Sequence, residues 1–327
     1  MITLHLASDK WEKLVAKGRK FALALSGGNA LGAFEGGALA HLARDGQMAD
    51  FIAGTSIGAI NAGLFLGARN DDPEATLRQF WEELAQDIFA FSRDQQAEWA
   101  GLNSLLFGRP TASRSHVGSL LAGQRSEVAL QDQGPLAQTL ERLIDFDKLA
   151  TRRTRLAVCA VALDPDEPVV FDSESTRIQT RHLVASASIP VLFPPVFIDG
   201  RAHVDGGLSF NLPLEPVLAS VEPPFDCFAL DLFPLGGKVP TSLGESGERV
   251  QNLIFGLQSR RILQDIRLRG NCRVVHVPYH PAEPESAAKA FDYSRESIRM
   301  RWQAGEEAMR RALVLCEDAK ESLDRVG

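Results

Sequence analysis

The sequence predicts an α/β fold, with a mainly parallel sheet covered by helices. Three observations carry this. Phe21 to Arg69 alternates short apolar runs with glycine turns and helix-spaced apolar residues. Leu156-Ala157-Val158-Cys159-Ala160-Val161-Ala162 is a near-continuous apolar run, as expected of a strand buried on both faces. Phe228 to Phe233 and Val274 to Val277 repeat that strand signature later in the chain.

The first twenty residues are a charged lead-in, with Trp11, Leu14 and Val15 at the spacing of a partial helix. Phe21-Ala22-Leu23-Ala24-Leu25 reads as a buried strand that stops at Ser26-Gly27-Gly28. Phe34, Ala38 and Leu42 mark the next helix, which Asp45-Gly46 ends. Phe51-Ile52-Ala53 is a second strand. It runs into Gly54-Thr55-Ser56-Ile57-Gly58 and then into an apolar helix starting near Ile57. Asn70-Asp71-Asp72-Pro73 caps a helix beginning near Glu74, with Leu77, Phe80, Trp81 and Leu84 as its packing stripe.

From Asp87 to Arg125 apolar residues sit among polar ones without one period, and Gly108-Arg109-Pro110-Thr111 breaks the segment. This reads as a cap whose apolar residues meet a ligand, against the alternative of ordinary helices on the sheet edge. His116 falls here without a special setting. Gly134-Pro135 opens an amphipathic helix ended by Asp145-Phe146-Asp147. Asp164 to Pro168 turns the strand 156–162 into its return partner Val169-Val170-Phe171. A helix over Thr176 to Ser188 ends at Ile189-Pro190, and Phe193-Pro194-Pro195 makes a rigid corner. The hairpin Val196-Phe197-Ile198 and Ala202-His203-Val204 then delivers Asp205-Gly206-Gly207 at its end. Pro240 to Glu248 reads as a mobile loop, followed by a long helix to about Arg269. The last helix, from Ser294, carries Ile298, Trp302, Met309 and Leu313 on a face suited to docking. No internal repeat or linker interrupts the chain, which reads as one domain over 1–327: a core of about 20–235 with an extension of about 240–327 packed on it.

The chain has 327 residues, 45% hydrophobic and 24% charged, enough for a large core. Its net charge of −7 and the lack of a basic stripe speak against nucleic acid as a partner. The charged start and the absence of an 18-residue apolar run lead to an expected cytoplasmic location. Cys159, Cys227, Cys272 and Cys316 are widely spaced, as buried reduced thiols would be, and no metal or cofactor motif is present.

Two motifs carry chemistry. Gly54-Thr55-Ser56-Ile57-Gly58 sits at a strand-to-helix corner, the setting of a nucleophile elbow. There the serine hydroxyl stands clear of the sheet, and Gly54 and Gly58 let neighbouring chains approach. Ser26-Gly27-Gly28-Asn29-Ala30-Leu31-Gly32 is a glycine turn opening a helix, able to aim N–H groups at a tetrahedral oxyanion. A nucleotide cradle is the weaker reading, because Asn29 breaks G-x-G-x-x-G and no Lys-Ser or Lys-Thr follows Gly32. Three bases for Ser56 follow from hydrolase chemistry: a late histidine (His276 or His280), His203, or Asp205 acting directly.

The glycine turn, the G-x-S-x-G elbow, Ala185-Ser186-Ala187-Ser188-Ile189-Pro190 with Phe193-Pro194-Pro195, and Asp205-Gly206-Gly207 resemble, in order and spacing, the four blocks of the patatin-like phospholipase family. Asp292-Tyr293-Ser294 and Arg301-Trp302-Gln303-Ala304-Gly305 are similar to an extra segment of some bacterial members. The resemblance implies a three-layer α/β/α patatin-like fold and a cofactor-free serine hydrolase of lipid acyl esters, with transient contact at a membrane surface. It makes Ser56 the nucleophile and Asp205 the base, with oxyanion donors on Gly27, Gly28 and Asn29. Gly32, Gly54, Gly58, Gly206 and Gly207 are then motif glycines.

Two departures stand out: Asn29 replaces a usual third glycine, and Leu31 replaces a usual basic residue. Asparagine tolerates left-handed backbone, so the turn is expected to survive. Leu31 weakens phospholipid specificity and keeps an uncharged ester, a lysophospholipid or a hydroxyalkanoate-type polyester in view. A weakly active or inactive lipid- or partner-binding member and a histidine-based acyltransferase are the remaining alternatives.

Overall fold

The computed structural model describes residues 3–6, 20–87, 99, 108–109, 111–116, 128–151, 153–233, 235–236, 239–269, 272–281 and 288–324. In chain order the strands are β1 (Thr3–Leu6), β2 (Lys20–Leu25), β3 (Phe51–Thr55), β4 (Gly108–Arg109), β5 (Ser113–Ser115), β6 (Gln131–Asp132), β7 (Arg155–Leu163), β8 (Asp166–Asp172), β9 (Val196–Ile198), β10 (Arg201–Asp205), β11 (Phe225–Asp231) and β12 (Cys272–Pro278). The helices are α1 (Ala33–Arg44), α2 (Ile57–Leu66), α3 (Pro73–Leu84), α4 (Gly134–Leu143), α5 (Phe146–Leu149), α6 (Thr180–Ser186), α7 (Leu214–Ser220), α8 (Leu243–Arg269) and α9 (Arg295–Asp324).

Among the described residues β12, β11, β2, β3 and β7 form the parallel centre of a nine-stranded sheet, in that spatial order. Each of these strands is fully or largely buried, and its residues alternate between two cores. Leu23, Leu25, Ile52, Phe228, Leu230 and Val275 face the helices α1, α2, α3 and α9. Ala22, Ala24, Ala53, Ala157 and Ala229 face α7 and α8. The period of two sends successive residues to opposite faces, and Phe51, Phe225 and Val274 of these strands join the second core. Helices cover both faces, which gives the three-layer α/β/α arrangement expected.

The lead-in differs from its reading. Thr3–Leu6 is an edge strand antiparallel to β12, so its alternating apolar residues extend the sheet. The partial helix proposed around Trp11 lies outside the described residues. Leu243 already begins α8, so the loop expected to reach Glu248 is shorter. Glu245 explains this: its carboxylate accepts from the backbone N–H of Thr241, acting at the helix start where negative charge is favoured. Most of the expected cap between Asp87 and Arg125 is also outside the described residues. What is described there is β4 and β5, which join β6 in a small antiparallel sheet.

β7 organises the site. One of its edges pairs with β8 over Ala157 to Leu163. The other edge is shared end to end: Thr55, the last residue of β3, lies opposite Cys159, and Asp205, the last of β10, lies opposite Ala160. Two strands that arrive from opposite directions thus meet at adjacent positions of β7.

At the other end of the chain, α9 lies across α1 with backbone in near contact. A Cβ added to Gly305 would stand 1.8 Å from the Phe34 carbonyl oxygen, and one on Gly37 would stand 2.0 Å from that of Trp302. Met309 and Trp302 of α9 are buried in the same core as Phe34 and Leu39 of α1. Overpacking so tight a crossing is destabilising. Gly305→Val is expected to lower unfolding stability by about 1–3 kcal/mol in a urea titration. A loss within error would mean that the helices can separate freely.

Candidate active site

Ser56 is the residue between β3 and α2, and its backbone is at φ 54 and ψ −122. A serine in that region is strained and persists only because its surroundings hold it. Two of its neighbours do so visibly. Its N–H donates to Ser186 Oγ at 2.9 Å, and that hydroxyl in turn donates to the Cys159 carbonyl at 2.6 Å. Gly58 lets the first turn of α2 approach β2, since a Cβ there would sit 2.4 Å from the Leu25 carbonyl oxygen.

Asp205 reaches the same point from β10. Its N–H donates to the Ser188 carbonyl at 3.0 Å, so the segment Ser186–Ser188 holds the backbone of both Ser56 and Asp205. Oδ1 accepts the Gly207 N–H at 2.7 Å. Oδ2 is buried and has no hydrogen bond among the described residues, although Ser56 is close enough to favour the ionised carboxylate. Burial dominates and pushes the carboxyl up from 3.8 to about 7, against the lowering effect of the Gly207 N–H and of Ser56. A carboxyl with this pKa changes its protonation state close to neutral pH.

The glycine turn closes the third side. Ser26 anchors it to β11: its N–H donates to the Leu230 carbonyl at 3.2 Å, and its Oγ accepts the Leu232 N–H at 2.9 Å. Gly27 N–H donates to the Asn211 carbonyl at 3.0 Å. The expectation that Gly27 offers an oxyanion donor is corrected here, because that donor is already spent. Gly28 and Asn29 N–H make no hydrogen bond among the described residues. Asn29 has φ 54, the left-handed backbone expected of it. Its side chain has a use that the sequence reading lacked, since Oδ1 accepts from the Tyr293 hydroxyl. Arg301, on α9, donates to the Ala30 carbonyl at 3.3 Å. The C-terminal segment thus holds the turn from behind. Leu31 is fully buried in the core and carries no charge to the site.

Behind the turn lies a second polar group. Asn61 donates to the Gly32 carbonyl at 3.0 Å and to Glu35 at 3.1 Å, and it accepts from Trp81 Nε1 at 3.0 Å. Glu35 is completely buried, and desolvation raises its pKa well above the usual carboxylate range, against the lowering effect of the Asn61 hydrogen bond.

Two cavities meet at Ser56, Asn29 and Ile189. The larger, about 280 Å³, contains Asp205, Gly27 and Gly28 and is walled by Leu208, Phe233, Ile254, Phe255, Ala290 and Phe291. The smaller, about 40 Å³, is bounded by Ile60, Phe80, Leu136, Phe193, Tyr293 and Arg109. No histidine lines either among the described residues. His276 pairs with Asp231 at 3.1 Å, and His203 packs on Phe171 with its Nδ1 against the Arg201 carbonyl. The histidine bases considered from sequence are therefore not brought to Ser56. Asn211 was not singled out from sequence, and Ser186 was named only within a family block, without a role of its own. Asn211 lies four residues beyond Gly207 and gives its carbonyl to Gly27; its Nδ2 is buried and has no partner among the described residues. The four cysteines are free and buried, as expected.

The Asp205 carboxyl makes a prediction that needs no substrate. Its pKa is raised by folding, so the native state pays for burying the charge as pH climbs from about 4 to about 7. Asp205→Asn removes that cost. Relative to wild type, its unfolding free energy is expected to grow with pH across this window and level off above pH 7, by at most about 4 kcal/mol. A difference that stays flat from pH 4 to 8 would contradict the buried, proton-binding carboxyl.

A family model described as patatin-like phospholipase matches residues 23–218, and a second, described as patatin phospholipase, matches residues 248–322. No curated protein matches the chain. Among solved structures, VipD from Legionella pneumophila is similar at 14% identity and TM-score 0.43, over 91% of this chain and 67% of its own. The type III effector ExoU, of Pseudomonas aeruginosa, is similar at 14% identity and TM-score 0.42, over 91% of this chain and 53% of its own. Human GIVD cytosolic phospholipase A2 is similar at 14% identity and TM-score 0.39, over 90% and 60% respectively. The chain thus spans from about half to two thirds of the length of these structures. With the turn, the elbow and the acid all inside the matched region, the chain belongs to the patatin-like phospholipase family.

Proposed function

We propose that the protein is a serine acyl hydrolase of lipid esters that works through a Ser56–Asp205 dyad. The observation that carries this is the pairing of a strained Ser56 with a buried Asp205 whose free Oδ2 has its pKa near 7, at the mouth of an apolar cleft.

In the proposed reaction Ser56 Oγ attacks the ester carbonyl carbon while Asp205 Oδ2 takes the hydroxyl proton. The carbonyl electron pair moves to oxygen, and the N–H groups of Gly28 and Asn29 hold that oxyanion. Collapse breaks the bond to the alcohol oxygen, which leaves with the proton from Asp205. A water molecule then attacks the acyl-serine carbonyl carbon and delivers a proton to Asp205; collapse breaks the bond to Ser56 Oγ, which takes that proton back from Asp205 as the fatty acid is released. The larger cavity suits the acyl chain, being close to the lower size limit of small-molecule clefts, ~300 Å³, and lined mainly by apolar residues. No helix among the described residues is long and apolar enough to cross a membrane, so substrate is expected to be taken from an aqueous phase or from a lipid surface touched from outside.

Two measurements test this. Hydrolysis of p-nitrophenyl octanoate and of lysophosphatidylcholine should vanish in Ser56→Ala, and fall by ~10²–10⁴ in Asp205→Asn while folding is kept. Activity that survives both variants would refute the dyad. The pH profile of kcat/KM should rise through an acid limb near pH 7, because Asp205 must be ionised to accept the proton. An acid limb near pH 4 would place the base elsewhere.

A further inference from the structure

The smaller cavity contains a charge that the proposed reaction does not use. Arg109 ends β4, in a turn closed by the Ala112 N–H on its carbonyl at 2.9 Å. That turn is fastened to the body of the fold. Thr111 Oγ1 donates to the Glu83 carbonyl at 3.0 Å, and Thr139 Oγ1 donates to the Thr111 carbonyl at 2.9 Å. Arg109 is consequently directed inward and is only 7% exposed. Its guanidinium lies 3.6 Å from the centre of the Tyr293 ring, and among the described residues neither Nε nor Nη1 has a hydrogen-bond partner. Among the described residues no Asp or Glu lines the cavity, and Arg109 is the one cation lining either cavity at Ser56.

A buried guanidinium with unspent donors is an unfavourable arrangement in the empty protein. The Tyr293 face attracts the cation but accepts none of its N–H groups in the plane of the guanidinium. An anion does both, because phosphate and carboxylate oxygens match the planar fork of arginine. Size decides which part of a substrate is placed there. A space of about 40 Å³ holds a few water molecules and excludes a fatty chain, whereas the larger cavity on Asp205's side is about 280 Å³.

We propose that Arg109 is the receptor for an anionic group on the alcohol side of the scissile ester, of the phosphate type that a glycerophospholipid carries. The proposal deepens the hydrolase reading above and rests on it for the orientation of the ester. Arg109 then sets specificity, and the rigid attachment of its turn to α3 and α4 fixes the distance between phosphate and ester. Binding replaces the waters of the smaller cavity with phosphate oxygens and leaves the acyl chain in the larger one.

The test is binding, so it does not depend on turnover. Isothermal titration of Ser56→Ala with dodecylphosphocholine and with neutral 1-O-dodecylglycerol, each as monomer, gives the preference for the anionic group. We expect phosphocholine to bind at least about tenfold tighter. Adding Arg109→Gln should abolish that preference and leave dodecylglycerol within about twofold, while Arg109→Lys should keep part of it. Equal weakening of both amphiphiles would mean that Arg109 only packs on Tyr293. An undiminished preference in Arg109→Gln would place the anion elsewhere. Either result overturns the proposal, as does an absent preference in Ser56→Ala. Inorganic phosphate binding as tightly as the amphiphile would assign the site to free phosphate and overturn the lipid reading. If Arg109→Gln does not fold, competition on Ser56→Ala decides. Inorganic phosphate must displace dodecylphosphocholine and not dodecylglycerol, and failure to do so refutes the site. Retained binding with no ester hydrolysis by wild type would sink the hydrolase reading alone.

Discussion

One edge of a single strand sets the geometry on which the site depends. β7 offers Cys159 to Thr55 and the next residue, Ala160, to Asp205, so two strands running in opposite directions end side by side. Backbone hydrogen bonds, not side-chain reach, therefore decide how far the serine is from the acid. Strand register is a discrete quantity, and a slip of one residue would turn Asp205 to the other face of the sheet. The segment Ser186–Ser188 reinforces the alignment by binding the amide of Ser56 through a hydroxyl and that of Asp205 through a carbonyl. The strained serine backbone is held between these contacts and the first turn of α2.

The environment that raises the Asp205 pKa toward neutrality follows from the same arrangement. A carboxylate at a sheet end would normally be solvated and acidic. Here the elbow, the glycine turn and the loop to Asn211 close over it, and desolvation outweighs the one N–H it receives. Glu35 is likewise buried, with its pKa raised by desolvation, yet its Oε2 is held by Asn61 behind the glycine turn. Two buried acids thus take different parts: Asp205 faces Ser56, and Glu35 braces the scaffold.

Much of this was legible in the sequence, and the reasons are local. The apolar run at 156–162, the glycine turn and the elbow each carry short-range signals of period or turn chemistry, and those elements stand where they were expected. Asp205 was visible because a hairpin delivers it beside two glycines. What stayed hidden depends on contacts between distant parts of the chain. Gly27 looks like its neighbours in sequence, and only the fold shows its N–H bound to Asn211. Asn29 reads as a defect in a glycine motif until Tyr293, 264 residues later, is found against its side chain. Arg109 lies in a segment with no clean period, where sequence pattern carries little information about direction. The edge strand Thr3–Leu6 was missed because charged residues follow it closely and mask its alternation.

The most direct test of the central claim is covalent labelling of the protein by an alkyl fluorophosphonate, followed by intact-mass and peptide mass spectrometry. An activated Ser56 beside an ionised Asp205 should give one adduct, on Ser56. Its rate should rise with pH through about 7 and drop by ~10²-fold or more in Asp205→Asn. Labelling at another residue, no labelling of the folded protein, or a rate unchanged by Asp205→Asn would contradict the dyad.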